Sequence, residues 1–294
     1  MHDTVIRKVS VRQIVTASRL PVCDFCANPY TGCTHACAYC YASFMKRFVP
    51  HSEEWGQFLD VKYWPPLEHV QKYRGKEIFL SSVTDPYNPQ EAEFKRTRSL
   101  LEELRDSGAR LSISTKSDLI LRDIDLIAEF DDPRVSFSIN TLDEDFRRDM
   151  DRAVSIRRRL NAMRIFHQRG IRTTCFISPI FPGITDVEEI IMEAKDCCNL
   201  IWLENLNLRG AFRPVIMKYI SQKHPELYPL YERIYTRHDL SYWQELDRQT
   251  AALAARLGLE YRINDDSMRR DFSDPPVIVN FFYHDKIRKG AGKC

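Results

Sequence analysis

Glu77-Ile-Phe-Leu-Ser-Ser82, a stretch from Glu93 to Ser107 closed by Gly108, and Arg110-Leu-Ser-Ile-Ser-Thr115 follow one another in order. The outer two runs are short, apolar and β-branched, as strands are. The middle one has the roughly 3.6-residue period of an amphipathic helix, with glycine at its stop. A strand–helix–strand unit of this size implies parallel strands joined by a crossover helix. The pattern then repeats. Leu119 to Phe130 reads as a helix, Arg134-Val-Ser-Phe-Ser-Ile-Asn140 as a strand, and Arg152 to Gln168, ended by Gly170, as a helix. Strand Ile171 to Ser178, helix Asp186 to Asp196 and strand Leu200 to Leu206 complete the series. Several strands are nearly continuous in apolar or small residues, which predicts burial on both faces. The class is α/β: a closed or partly closed barrel, or an open doubly wound sheet. No G-x-G-x-x-G follows the first of these strands, which counts against a dinucleotide-binding sheet.

Polar residues gather where the strands end: Ser82-Val-Thr-Asp85, Thr115-Lys-Ser117, Ser138-Ile-Asn140 and Ser178-Pro179. In barrels, the carboxyl ends of the strands form the active-site face. Helix capping accounts for some of these residues, since Asp85, Ser117 and Asp186 can each start a helix. It does not account for Lys116, a cation at a strand end.

The 294 residues are 44% hydrophobic with a net charge of +2, enough to fill a core and silent on any nucleic-acid partner. No run approaches the roughly 18 apolar residues of a membrane helix. Met1 to Thr16 lacks an apolar run, so no export signal is read and the cytoplasm is expected. After Leu208 the pattern changes: residues 212–239 are rich in aromatics, 240–257 form an amphipathic helix, Glu260 to Asn264 a strand, and the tail ends basic. The expected division is an N-terminal segment (1–20), a core (21–210) and a mixed, mainly helical extension packed on it (211–294).

Of nine cysteines, five lie at positions 23, 26, 33, 37 and 40. An odd total without an export signal argues against a disulfide framework and for metal binding. Cys33-Thr-His-Ala-Cys37-Ala-Tyr-Cys40 can wrap three thiolates around one face of a cubane iron–sulfur cluster, leaving one iron open for a cosubstrate. Gly32 permits close backbone approach. A four-thiolate zinc site from Cys23, Cys26, Cys37 and Cys40 is an alternative with acceptable spacing. Plain buried thiols are a third reading. Cys23 and Cys26, with the adjacent Cys197 and Cys198 and the terminal Cys294, also raise an auxiliary metal site.

The Cys33/Cys37/Cys40 motif, with Tyr39 before the last cysteine, resembles that of the radical S-adenosylmethionine (SAM) superfamily. Asn28-Pro-Tyr-Thr-Gly-Cys33, Cys40-Tyr-Ala-Ser-Phe-Met45, Ser82-Val-Thr-Asp-Pro86, Thr115-Lys-Ser117 with Leu121-Arg-Asp123, and Ser178-Pro-Ile-Phe-Pro-Gly183 follow in order. That set is similar to the spore photoproduct lyase-like branch, including the group called radical SAM mobile pair protein B, over residues 18–210. The resemblance implies a partial (β/α)6 TIM-type barrel whose first loop holds a 4Fe–4S cluster through Cys33, Cys37 and Cys40. It implies reductive cleavage of SAM to a 5′-deoxyadenosyl radical that abstracts hydrogen from substrate, with a low-potential flavodoxin or ferredoxin as electron donor. By the same analogy Tyr39 lies against the adenine, and Ser82, Thr84 and Asp85 border the methionyl amine. Lys116 pairs with the SAM carboxylate, Ser138 and Asn140 reach the ribose, and Ile177 to Pro179 line the adenine pocket. The resemblance stops at the hydrogen-donor cysteine of the photoproduct lyase: here Ser81, Ser82 and Val83 stand near that place, and Cys175 is expected to face the core.

The substrate readings are a nucleic acid or nucleotide, favoured by the basic–aromatic stretches Met45-Lys-Arg-Phe48 and Arg209-Gly-Ala-Phe-Arg213, or a small metabolite or peptide. The non-enzymatic reading is the zinc protein.

Overall fold

The computed structural model describes residues 4–265 and 277–283. In chain order the strands are β1 (Val5–Ser10), β2 (Val15–Ala17), β3 (Phe25–Ala27), β4 (Tyr30–Thr31), β5 (Phe58–Tyr63), β6 (Glu77–Leu80), β7 (Arg110–Thr115), β8 (Asp131–Ser138), β9 (Arg172–Ile180), β10 (Leu200–Asn205), β11 (Glu260–Ile263) and β12 (Ile278–Phe282). One sheet runs β11-β12-β10-β9-β8-β7-β6-β3-β2. Within it β3 and β6 to β10 are mutually parallel, the six strands of a partial barrel. Strand β2 lies antiparallel on β3, while β12 and β11 extend the other edge in parallel. A smaller sheet has β5 between β1 and β4.

The register explains how the main sheet serves two purposes. Leu80, Ile113 and Val135 are cross-strand neighbours, as are Phe137, Cys175 and Ile201, and Ile177 and Leu203. All belong to the main hydrophobic core on the helix-packed face. Because side chains alternate along a strand, their neighbours face the other way. That inner face carries Cys26 beside Phe79, Ser114 beside Ser136 beside Thr174, and Ser138 beside Phe176 beside Trp202. Short hydroxyl side chains there leave room that leucines would fill.

The helices depart from the sequence expectation in identifiable ways. The helix expected from Glu93 is split into α1 (Glu91–Phe94) and α2 (Arg96–Leu104) by Lys95 at φ 50. The buried Glu91 carboxylate accepts from the N–H groups of Thr97 and Arg98 at 2.9 and 3.2 Å, so it caps α2. The helix expected over Leu119–Phe130 is a 3-10 turn, Asp118–Asp123, followed by one α-helical turn, α3 (Ile124–Ile127). The next expected helix starts later, as α5 (Ile156–Gln168) behind its cap Ser155. Before it lies α4 (Glu144–Met150), capped by Asp143 and absent from the sequence reading. Helix α6 (Val187–Ala194) precedes β10, and α7 (Phe212–Lys223), α8 (Tyr228–Tyr235) and α9 (Ser241–Leu257) follow it. Strand β12 was also unforeseen; it falls in a stretch read only as tail. Among the described residues no helix is long and apolar enough to cross a membrane.

Candidate active site at the strand ends

The loop between β4 and the 3-10 helix Tyr41–Phe48 carries Cys33, Cys37 and Cys40. Two tight turns shape it, Ala36 N–H to Cys33 C=O (3.2 Å) and Cys40 N–H to Cys37 C=O (3.1 Å). Its entry needs glycine: Gly32 has φ 86, and a Cβ there would stand 2.4 Å from the Phe58 carbonyl oxygen. The loop is then tied down from several sides. Thr84 donates to the Gly32 carbonyl at 2.6 Å, Ala38 N–H to Met150 C=O at 2.8 Å, and Arg152 N–H to His35 C=O at 2.7 Å.

Burial raises all three thiols, and the neighbouring cysteines add to it for Cys33 and Cys37. Cys37 is pushed up to about 12 by burial, against the pull of the Lys116 ammonium. Lys116 acts in the same sense on Cys40, so the cation reaches into this cavity. Its Nζ lies 5.8 Å from the centre of the Tyr39 ring, and among the described residues it forms no ion pair.

Asp85 does not stand open at the strand end. Its Oδ1 accepts from Tyr87 N–H (2.9 Å) and Thr115 Oγ1 (2.7 Å), its Oδ2 from Lys116 N–H (2.7 Å). His35 Nε2 lies 3.2 Å from Oδ2. Burial alone would raise this carboxyl, but His35 and these donors hold it below the ordinary range. Asp85 thus clamps the cysteine loop to the end of β7.

Ser82 accepts from Asn28 Nδ2 at 3.4 Å and lies against Cys26. Ser138 is buried, its carbonyl accepting from Arg159 Nη1 at 3.2 Å. Asn140 is buried with its Nδ2 unpartnered, a donor aimed at nothing within the protein. Tyr39 packs edge-on against Phe181 and points its hydroxyl at Asp151 (3.4 Å). Pro179 is half-buried at the end of β9, whereas Ile177 belongs to the core on the opposite face. Cys175 is fully buried in that core as well.

Three supporting groups escaped the sequence reading. Arg159 and Asp151 form a fully buried ion pair (2.8 Å) that braces Ser138 and Tyr39 from behind. The signal was present: Arg159 sits on the apolar stripe of α5 with Ile156, Leu160 and Met163. Glu204, at the end of β10, accepts from Ser178 (3.1 Å) and Trp202 (2.9 Å); a carboxylate at a strand end was legible and overlooked.

The Radical SAM superfamily model matches residues 23–194, more than half of the chain. The chain belongs to the radical SAM superfamily. An uncharacterized protein of Methanocaldococcus jannaschii (MJ0683) is 37% identical over 227 residues, 76% of this chain and 86% of its own. An uncharacterized protein of Mycobacterium bovis (Mb2609c) is 27% identical over 283 residues, 89% of this chain and 81% of its own. Among solved structures, a spore photoproduct lyase variant has a TM-score of 0.57 at 16% identity, covering 94% of this chain and 82% of that one. A second variant, with bound AdoMet and dinucleoside spore photoproduct, has a TM-score of 0.52 at 17% identity, over 75% and 66% of the two chains. At these identities the likeness speaks for the fold, a partial TIM-type barrel.

A radical SAM enzyme uses a 4Fe–4S cluster and SAM. The residues present fit both. Three thiols share one loop, the Lys116 ammonium acts on two of them, and just past the end of β8 Asn140 keeps a buried amide donor without a partner. Among the described residues no three His, Cys, Asp or Glu side chains already stand at metal-ligand spacing. Cys23 and Cys26 interact with each other, not with Cys37 and Cys40. With enzyme class settled by family, the non-catalytic zinc reading falls away. A surface depression of about 870 Å³ along α5, between Leu142, Arg158 and Glu193, contains none of these groups.

Proposed function

We propose that this radical SAM enzyme acts on a nucleic acid or nucleotide. The observation that carries the reading is the 3-10 helix directly after Cys40. Tyr41, Phe44 and Phe48 are 64%, 41% and 67% exposed there, three large apolar side chains on eight residues. The Arg47 guanidinium lies 5.8 and 5.4 Å from the Phe44 and Phe48 ring centres. Exposed aromatic faces with a planar cation suit stacked bases and phosphates. The fold likeness to a lyase crystallised with a dinucleoside photoproduct supports the same class of substrate.

In this reading Cys33, Cys37 and Cys40 hold the cluster, and Lys116 pairs with the SAM carboxylate in a charge-assisted contact. Asn140 and Ser138 face the ribose, Ser82 and Thr84 the methionyl end, and Tyr39 with Pro179 the adenine. Asp85 serves by positioning the loop. With the cluster and SAM bound, the site would supply hydrogen-abstracting radical chemistry to the substrate. The protein's part is to hold SAM at one geometry, keep water from the chamber and present the target atom. A flavodoxin- or ferredoxin-type donor in the cytoplasm, where thiols stay reduced, completes the setting.

The test is binding of mixed single-stranded oligonucleotides to the cluster-loaded enzyme. Affinity should fall with salt, and by about tenfold in Arg47→Ala/Phe48→Ala, as loss of one stacked base predicts. Salt-insensitive or undetectable binding would move the substrate to a small metabolite or peptide.

A further inference from the structure

Cys23 and Cys26 lie outside the cluster loop, yet their sulfurs are 3.6 Å apart. Both also contact the Ser18 hydroxyl, at 3.2 and 3.4 Å. Cys26 is set by strand pairing, opposite Thr16 on β2 and Phe79 on β6, and it shares the inner face of the sheet with Phe79. Cys23 belongs to the preceding turn, where its N–H reaches the Leu20 carbonyl at 3.4 Å, a long and weak contact. One sulfur is therefore held by a sheet and the other by a turn that can shift. Both residues are buried, and contact with the Cys23 thiol, against burial, lowers the Cys26 thiol, which makes Cys26 the nucleophile of the two.

A metal ion does not suit this pair. A structural zinc or iron site needs about four strong donors. Here the remaining neighbours are the hydroxyls of Ser18 and Ser82 and the Glu77 carboxylate, which acts on Cys23 only through its charge and is itself engaged by Ser112 and Arg110. Two thiols at C-x-x-C spacing with nothing to ligate suit a different chemistry. Closing 3.6 Å to the roughly 2.05 Å of a disulfide asks for a shift of the Cys23 turn alone.

We infer that Cys23 and Cys26 form a second, redox-active site: a dithiol on the wall of the radical chamber that closes to a disulfide by exchange with a small-molecule disulfide of the glutathione type. Cys26 attacks one sulfur of the oxidant, whose S–S bond breaks and releases one thiol. Cys23 then attacks the mixed disulfide, forming the Cys23–Cys26 bond and releasing the second thiol. The protein gives up two electrons and two protons, and both appear on the two released thiols. Ser82 touches Cys26 at the strand end of the site above, so the state of the pair is felt in the chamber.

The experiment uses the full-length, cluster-loaded enzyme under anaerobic conditions. It is equilibrated with mixtures of reduced and oxidised glutathione, alkylated, digested and examined by mass spectrometry, with iron content followed throughout. The expected result is a Cys23–Cys26 disulfide formed at constant iron and reversed by dithiothreitol. Below its midpoint its fraction should rise about tenfold per tenfold increase in oxidised glutathione at fixed reduced glutathione. Cys23→Ser should trap a glutathionyl adduct on Cys26, whereas Cys26→Ser should leave Cys23 largely free. Three results would overturn the inference: both thiols alkylated across the whole range, stable separate adducts on each cysteine in the unsubstituted enzyme, or loss of a metal equivalent beyond the cluster iron when both are replaced by serine.

Discussion

Asp85 engages both carboxylate oxygens inside the protein, binding Tyr87, Thr115 and Lys116 and facing His35. Removing it leaves buried donors unpaired, so Asp85→Ala should cost about 3 kcal/mol in urea unfolding of the apoprotein. The pH dependence has a definite sign. Its folded pKa lies below the ordinary carboxylate value, so the stability it contributes is complete above that ordinary value. That stability is lost as pH falls through the folded value. Asp85→Asn should therefore flatten the acid limb of the stability–pH curve; an unchanged limb would show that the clamp is not ionic. At this scale the cysteines and Lys116 were legible because their residue types have few other reasons to stand where they do. The role of Asp85 was not, because a strand-end carboxylate serving a ligand and one serving a loop look alike in sequence. Arg159 was legible as a charge on the apolar stripe of its helix, but its partner Asp151 was not, because it lies outside that helix and is buried only once the chain folds back on it.

Among the elements, β7 was read to the residue and β10 to within one, because short apolar runs between turn signals leave little choice. The split at Lys95 was not legible. It depends on Glu91, whose carboxylate caps α2, pairs with Arg122 at 2.6 Å and accepts from the Tyr30 hydroxyl, all tertiary contacts. Glu91→Ala should destabilise the fold by about 3 kcal/mol in chemical denaturation, because it leaves the α2 amides and the Tyr30 hydroxyl unpaired and Arg122 with Asp123 as its remaining carboxylate. Strand β12 was missed because a parallel partner distant in sequence leaves no local turn signal. On β5, burial lowers the Lys62 pKa, with Asp60 acting in the opposite direction. Between its folded value and the ordinary lysine value the unfolded chain holds a proton the folded one does not, so stability rises with pH through that window. Lys62→Met should abolish that rise and add about 1 kcal/mol at neutral pH, read from denaturant midpoints.

For the whole molecule, one sheet serves a core on one face and a chamber on the other. The outer face holds Leu80, Ile113, Val135, Phe137 and Ile177; the inner face holds Ser114, Ser136 and Thr174. A protein selected for stability alone would fill that inner face, so its hydroxyls mark space kept for ligands. Ser136→Leu should leave thermal stability unchanged or raised by a few degrees while weakening SAM binding at least about tenfold, which calorimetry and equilibrium binding would separate. In the proposed site Cys33, Cys37 and Cys40 hold the cluster that cleaves SAM in this chamber. The most direct measurement is 5′-deoxyadenosine release from SAM by anaerobically reconstituted, dithionite-reduced enzyme. Formation of 5′-deoxyadenosine by the natural sequence, and none above background from Cys37→Ala, is the predicted result; cleavage that survives in Cys37→Ala would contradict it.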